Sequence, residues 1–336
     1  TYSVTVTGTN SCTQSGTATV SVRTKPIATA FGNSACVGGV VELSATGGGT
    51  YSWAGPANFN STLANPSRTS ATTAMTGTYS VTVTGTNSCT NSATTSLIVS
   101  NLPTANVAGD DVCEGATIQL STSGGGAYSW TGPASFGSTL AAPTRTNATT
   151  AMAGTYSVTV TGTNSCTQTG TATVIVRPKP IVALTGSDVC EGATIELSAT
   201  GGGTYSWAGP ANFSSTLAAP TRTNATTAMI GTYSVTVTGT NSCTQSGTTT
   251  VSVRTKPIVA LTGDDVCEGA TIELSATGGG TYSWTGPASF GSTLAAPTRT
   301  NATTAMAGTY SVTVTGTNSC TQSGTTTVVV RTKPIV

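Results

Sequence analysis

The sequence contains no histidine, and only 7% of its 336 residues are charged, leaving a net charge of +1. Ordinary soluble proteins carry roughly 25% charged residues. Without histidine, Ser-His-Asp and Cys-His catalytic arrangements cannot be assembled. The acids offer an adjacent pair at Asp264-Asp265, but neighbouring side chains on an extended chain point to opposite faces. The Gly-rich Thr277–Gly280 stretch precedes a strand pattern, not the helix a phosphate cradle requires. No enzymatic activity is expected. The near-zero net charge excludes the basic stripe of a nucleic-acid binder. No apolar run reaches the roughly 20 residues that span a bilayer. Helical periodicity is absent throughout, and so are a starting methionine and a signal-like apolar segment. The chain therefore reads as an internal stretch of a longer one, with any export signal outside it.

What is present repeats. GTYSVTVTGTNSC at Gly77–Cys89 returns almost unchanged at Gly154, Gly231 and Gly308, and the chain begins inside a further copy at Thr1. Tyr2, Tyr79, Tyr156, Tyr233 and Tyr310 are each 77 residues apart. A fixed period without insertions marks a tandem array. The expected domains are 27–103, 104–180, 181–257 and 258–334, preceded by the terminal hairpin of a truncated domain at 1–26 and followed by the start of another repeat at 335–336. That first hairpin cannot bury Tyr2, Val4 and Val6 alone, so it belongs to a continuous periodic object or is completed by another chain.

Within the last complete copy, Ile258–Leu261 is a short apolar run after Pro257, read as the first strand. Ile272, Leu274 and Ala276 alternate with polar residues, as do Tyr282 and Trp284, and Tyr310, Val312 and Val314. Gly286–Ala302 is rich in Gly, Pro, Ser and Thr, with Phe290 and Leu294 as its large anchors. Thr325–Val330 closes the domain. About seven short strands separated by turns indicate an all-β sandwich. The Thr-rich outward positions suit a pleated surface.

The nine cysteines follow the same period. Cys36, Cys113, Cys190 and Cys267 form one series, and Cys12, Cys89, Cys166, Cys243 and Cys320 the other. Each complete copy holds one of each, 53 residues apart. An even pair in a small repeat reads as disulfide-forming in an oxidising, extracellular setting, so Cys36, Cys89, Cys113, Cys166, Cys190, Cys243, Cys267 and Cys320 are expected to be bridged and Cys12 to lack its partner. Two thiols and no imidazole make no closed metal site.

Trp284 on an early strand and the Gly308-x-Tyr310 signature at the start of a late strand resemble the immunoglobulin fold, with Tyr310 in the tyrosine-corner position. Trp53, Trp130, Trp207, Trp284, Tyr79, Tyr156, Tyr233 and Tyr310 are then core aromatics. The departure lies in the cysteines. Leu274 and Val312 occupy the positions of that fold's core disulfide, while the cysteines precede the second strand and sit in the last hairpin loop. This arrangement, with YSVTVTGTNSC and VCEGATIELSA, is similar to the tandem immunoglobulin-like repeats of secreted Bacteroidota surface proteins, including gliding and biofilm adhesins. The resemblance covers the whole chain and implies a bacterial cell-surface location. In the standard topology the two cysteines of a repeat lie at opposite ends of the sandwich. The pairing within a repeat, Cys267 to Cys320, is expected because it makes each domain self-sufficient; the alternative joins neighbouring domains, for example Cys190 to Cys320.

Repeats end in Arg-x-Lys-Pro: Arg23–Pro26, Arg177–Pro180, Arg254–Pro257 and Arg331–Pro334, with the degenerate Ser100–Pro103 at one junction. Proline ends the strand and no linker residues are spare, so a semi-rigid extended rod is expected. The acids (Glu42; Asp110, Asp111, Glu114; Asp188, Glu191, Glu196; Asp264, Asp265, Glu268, Glu273) cluster near the junctions, where calcium is an alternative to solvated turn charges. Asn60, Asn147, Asn212, Asn224 and Asn301 fit the N-x-S/T glycosylation pattern. No cofactor is expected. The leading expectation is a structural or adhesive rod that associates with copies of itself, a filament included. The alternative is an array of carbohydrate-binding modules contacting surface polysaccharide through Tyr282, Trp284 and Phe290.

Overall fold

The computed structural model describes residues 1–334, so the expected start of a further repeat at 335–336 lies outside the described residues. It divides into two compact units, Thr1–Val176 and Arg177–Val336. Each unit contains two immunoglobulin-like β-sandwiches, and the first also carries the leading hairpin.

The fourth repeat shows the pattern. One sheet runs Leu261–Gly263, Ile272–Ala276, Thr298–Arg299, all antiparallel. The facing sheet runs Phe290–Ser292, Thr281–Gly286, Gly308–Thr315, Thr321–Val328. A short parallel pair, Val266–Cys267 with Val330–Arg331, links the chain entering the domain to the strand leaving it. This is the immunoglobulin-like arrangement of a three-stranded sheet over a four-stranded one, and the first and third repeats repeat it. Helical structure is confined to one 3-10 turn per repeat, Thr304–Met306 in the fourth. The strand from the first apolar run begins later than its sequence suggests: Ile258 is exposed, and only Val259 and Leu261 reach the core.

Period-two alternation becomes two faces. Ile272, Leu274, Ala276, Trp284, Tyr310, Val312, Val314, Val328 and Val330 point inward and are buried. Leu274 and Val312 fill, with aliphatic carbon, the place of the fold's usual core disulfide. On the other face threonine and serine pair across strands, as in Thr313 Oγ1 to Ser323 Oγ at 2.9 Å. Four separate cores of this kind lie in 41–99, 118–176, 195–253 and 272–330, one in each repeat.

All four tryptophans and Tyr79, Tyr156, Tyr233 and Tyr310 are buried, as the pattern predicts. Trp284 donates its indole N–H to the Leu294 carbonyl at 2.9 Å. Leu294 itself is 64% exposed, so its backbone, not its side chain, is the anchor. The Tyr310 hydroxyl donates to the Met306 carbonyl (2.9 Å) and accepts from Arg299, which also donates to the Pro287 carbonyl. The Arg299 guanidinium lies 5.0 Å from the centre of the Phe290 ring, which meets Tyr310 edge-on at 5.4 Å. The same Phe–Arg–Tyr cluster recurs at Arg68, Arg145 and Arg222. Gly286 makes room for it: a Cβ there would fall 2.5 Å from Cδ1 of Tyr310. Gly286→Ala is therefore expected to cost about 1–3 kcal/mol, the range for forcing atoms into a packed core. A urea titration of the variant against wild type measures this.

The leading hairpin pairs Tyr2–Thr7 with Thr13–Ala18 and leaves Tyr2, Val4 and Val6 71%, 63% and 62% exposed. Their counterparts Tyr79, Val81 and Val83 are fully buried under the opposing sheet of their own repeat.

Candidate functional site: the stapled junction

The chain leaving one sandwich enters the next with no slack, held by hydrogen bonds and by a disulfide. At the junction between the third and fourth repeats, the Asn318 side chain in the last hairpin loop donates to the Thr255 carbonyl at 2.9 Å. Arg254 returns a hydrogen bond from its guanidinium to the Asn318 carbonyl at 3.2 Å. The loop is itself tied, with Asn318 Oδ1 accepting from the Cys320 amide and the Gly316 amide donating to the Cys320 carbonyl. Opposite stands Gly280, whose φ of +124° and 2.1 Å approach of a virtual Cβ to the Thr315 carbonyl leave no space for a side chain.

The clamp acts on backbone. Asn87 holds the Thr24 carbonyl, Asn164 that of Asn101, and Asn241 that of Pro178. This explains why Ser100–Pro103 can depart from Arg-x-Lys-Pro: the carbonyl the asparagine grips is present whatever the side chain. Asn318→Ala is expected to cost about 0.5–1.5 kcal/mol, the net worth of a hydrogen bond whose exposed carbonyl turns to water. The loss should appear as faster amide exchange at Thr255, Lys256 and Gly316–Cys320, with the Tyr310 core unchanged.

The disulfides complete the junction, and they correct the expected pairing. Cys190 is bonded to Cys320 and Cys36 to Cys166, each across 130 residues and therefore between successive repeats. Cys113 and Cys243 are also disulfide-bonded. Cys89 and Cys267, both expected to be bridged, carry free thiols, as does Cys12. The geometry gives the reason. Cys190 pairs in parallel register with Arg254 at the exit of its repeat, and Cys320 Sγ lies 3.7 Å from the Arg254 carbonyl. Likewise Cys36 is in register with Ser100, whose carbonyl is 3.9 Å from Cys166 Sγ. The first cysteine sits at the end of a sandwich where the chain departs, and the second at the end where it arrives. Two cysteines of one repeat stand at opposite ends; two of neighbouring repeats meet at one residue. Cys267, in register with Arg331, is thus a half-bridge, and Cys89, its sulfur 3.9 Å from the Arg23 carbonyl, is another.

The acids serve the same ends. Asp188 accepts from the Ser252 amide and lies 3.7 Å from Arg254; Asp265 accepts from the Val329 amide and lies 3.6 Å from Arg331. Asp110 accepts from the Asp111 and Gln119 amides. Among the described residues no three His, Cys, Asp or Glu side chains converge on one point. Asn60, Asn147, Asn212, Asn224 and Asn301 are all exposed, and all but Asn60 adopt a positive φ in tight turns.

The aromatic platform of the alternative reading, Tyr282, Trp284 and Phe290, does not form: Trp284 is buried and the other two pack against the core. The first repeat instead displays Phe31, 62% exposed, on the outer face of its three-stranded sheet. With Asn33, Glu42, Ser44, Asn65 and Ser67 it lines a concavity of about 610 Å³. The later repeats carry Ala108, Thr185 and Thr262 at the position of Phe31 and Ala142, Ala219 and Ala296 at that of Asn65. Two series escaped sequence reasoning. Arg68, Arg145, Arg222 and Arg299 look like isolated surface charges, and Asn87, Asn164, Asn241 and Asn318 look like turn formers. Only their strict 77-residue recurrence signals a role.

No protein-family model matches the chain, and no curated protein matches it. Among solved structures it is similar to the N-terminal eight Ig domains of Down Syndrome Cell Adhesion Molecule, with 13% identity, 91% of this chain covered and a TM-score of 0.42. The chain spans about half of that fragment, 48%. It is similar also to three N-terminal domains of the bacteriophage RB49 Highly Immunogenic Outer Capsid protein, at 16% identity, TM-score 0.34, covering 69% of this chain and 99% of that one. Sidekick-1 immunoglobulin domains 1–5 match at 12% identity and TM-score 0.27, over 93% and 80% of the respective chains. The strand order of the repeats defines the class: the chain is a tandem array of immunoglobulin-like β-sandwiches.

Proposed function

We propose that the array is a structural rod of a long extracellular bacterial surface protein, in which the repeats serve as spacers and as sites of association with further copies. The observation that carries this reading is the junction, where a disulfide joins successive sandwiches and an asparagine side chain grips the backbone carbonyl of the chain that arrives. A site built on ligand chemistry would vary its side chains. Here the recurring asparagine and the bridged cysteines hold one repeat to the next, and the recurring arginine and aromatics hold each repeat together. The third and fourth repeats differ at only six positions, Ser187/Asp264, Ala208/Thr285, Asn212/Ser289, Ser214/Gly291, Ile230/Ala307 and Ser252/Val329. Low charge and hydroxyl-covered sheets favour lateral or end-to-end association, because little net repulsion opposes it. No cofactor or catalytic group enters the proposal. Glycans on the exposed asparagines would keep so uncharged a surface solvated; an intact mass equal to that of the sequence argues against them.

Light scattering on the oxidised chain over a concentration series tests the rod. An extended monomer indicates a stalk, and open-ended growth a self-assembling filament. A compact particle of fixed size removes the reading. A second reading, binding of surface polysaccharide, is favoured by Phe31 and its neighbouring amide and carboxylate in the first repeat alone. It requires that soluble glucan or xylan retard the wild-type chain in affinity electrophoresis and leave Phe31→Ala unaffected.

A further inference from the structure

We propose that the bridges between repeats form a covalent bypass that keeps most of the chain out of the path of tension, so that the array is nearly inextensible while oxidised. The inference rests on the rod reading only for the setting in which tension arises; the bypass itself follows from connectivity. A bond between Cys36 and Cys166 closes a ring, and a pull applied outside that ring passes through the bridge whatever the fold inside it does. The same holds for Cys190 and Cys320. Each ring encloses 130 residues of sequence separation. The junctions at Ser100–Pro103 and Arg254–Pro257 both lie inside a ring, so two stapled sandwiches cannot be drawn apart at their linker.

From Cys36 to Cys320 the backbone runs 284 residues, of which the two rings take 260. The shortest covalent route between the two rings is the 24-residue passage from Cys166 to Cys190, and it sets the limit of the stretch. At about 3.4 Å per extended residue that passage spans ~80 Å, against ~970 Å for the unbridged chain. The bridges themselves add little, with Cα–Cα distances of 5.7 and 5.6 Å. Pairing within repeats would also shield the cores, but less completely. It would leave three 24-residue passages open between the same end points, Cys89–Cys113, Cys166–Cys190 and Cys243–Cys267, or ~240 Å of extensible chain. Bonding a repeat to its neighbour therefore cuts the residual stretch threefold through two bridges, where pairing within repeats uses four. The cysteine placement that looks wasteful for domain stability is efficient for limiting length.

The test is single-molecule force spectroscopy on the full chain held by its two termini, with the free thiols of Cys12, Cys89 and Cys267 blocked by N-ethylmaleimide. The shortest covalent route from end to end consists of 35 residues before Cys36, the 24-residue passage and 16 residues after Cys320, joined by the two bridges. Oxidised molecules are expected to reach no more than ~25 nm before the tether breaks, and molecules reduced with a phosphine ~115 nm, at about 3.4 Å per residue. Oxidised traces that show successive gains of ~26 nm, the length of a freely unfolding 77-residue repeat, overturn the proposal. So does an oxidised limit near 40 nm, which is the signature of pairing within repeats. A short limit in a chain that scatters as a compact particle sustains the bypass and removes the rod, so the two failures are distinguishable.

Discussion

Replacing Trp207 with alanine is expected to unfold the third repeat and leave the fourth folded. Trp207 is buried between the two sheets of its repeat, with its neighbours in the core drawn only from 182–253. Truncating a buried tryptophan costs about 3–5 kcal/mol, from lost transfer energy and from the cavity left behind. A 77-residue domain has a total stability of only about 4–11 kcal/mol. The substitution therefore consumes a large share of one repeat's stability and touches no atom of the next core. Peptide-level hydrogen exchange reads the outcome directly. Protection should fall across Ile195–Val253 and persist across Ile272–Val330. Uniform loss over both repeats would mean that the array folds as one cooperative block, contrary to the separate cores of the repeats.

Reduction is the second large effect. Each bridge closes a loop of about 130 residues, and the chain-entropy model assigns such a loop about 5 kcal/mol of stabilisation through the unfolded state. Because the loop includes a junction, the gain is shared by two repeats, and neither repeat owns it. Reduced protein is expected to unfold at a clearly lower urea concentration than oxidised protein. Cys190→Ser/Cys320→Ser should lower the midpoint of the second unit alone. An unchanged midpoint after complete reduction would show that the bridges restrain geometry without adding stability.

The fold is legible in the sequence because it rests on short-range patterning. Tyr310, Val312 and Val314 alternate with hydroxyl residues, and that alternation by itself assigns one face to the core. The tandem period carries the same assignment to the tryptophan and the tyrosine of every complete repeat. The pairing of the cysteines is not legible in the same way. The self-sufficiency of each domain favours Cys267 with Cys320, whereas the bond runs between Cys190 and Cys320. Self-sufficiency misleads here, because a sandwich places the entry of its second strand and its last hairpin loop at opposite ends. The clue lies in that topology, which also weighs against the pairing within a repeat. Trp284 in an aromatic platform fails for a related reason: an aromatic alternating with serine and threonine on an inner strand faces the core. Phe31 is hard to find because it departs from the repeat, and a periodic sequence draws attention to what recurs. Arg299 hides differently, since a single guanidinium that links a tyrosine hydroxyl, a carbonyl and a phenyl face has no local motif.

Successive repeats are bonded to one another, and mapping the disulfides of the purified, unreduced chain reads those bonds out. Thiols are blocked at low pH, the chain is cut by a protease that separates every cysteine, and the linked peptides are identified by mass. Peptides joining Cys190 to Cys320 and Cys36 to Cys166 are expected, with Cys89 and Cys267 recovered as blocked thiols. Peptides joining Cys267 to Cys320 and Cys36 to Cys89 would contradict this pairing, and the stapled junction would be replaced by a string of independently closed domains.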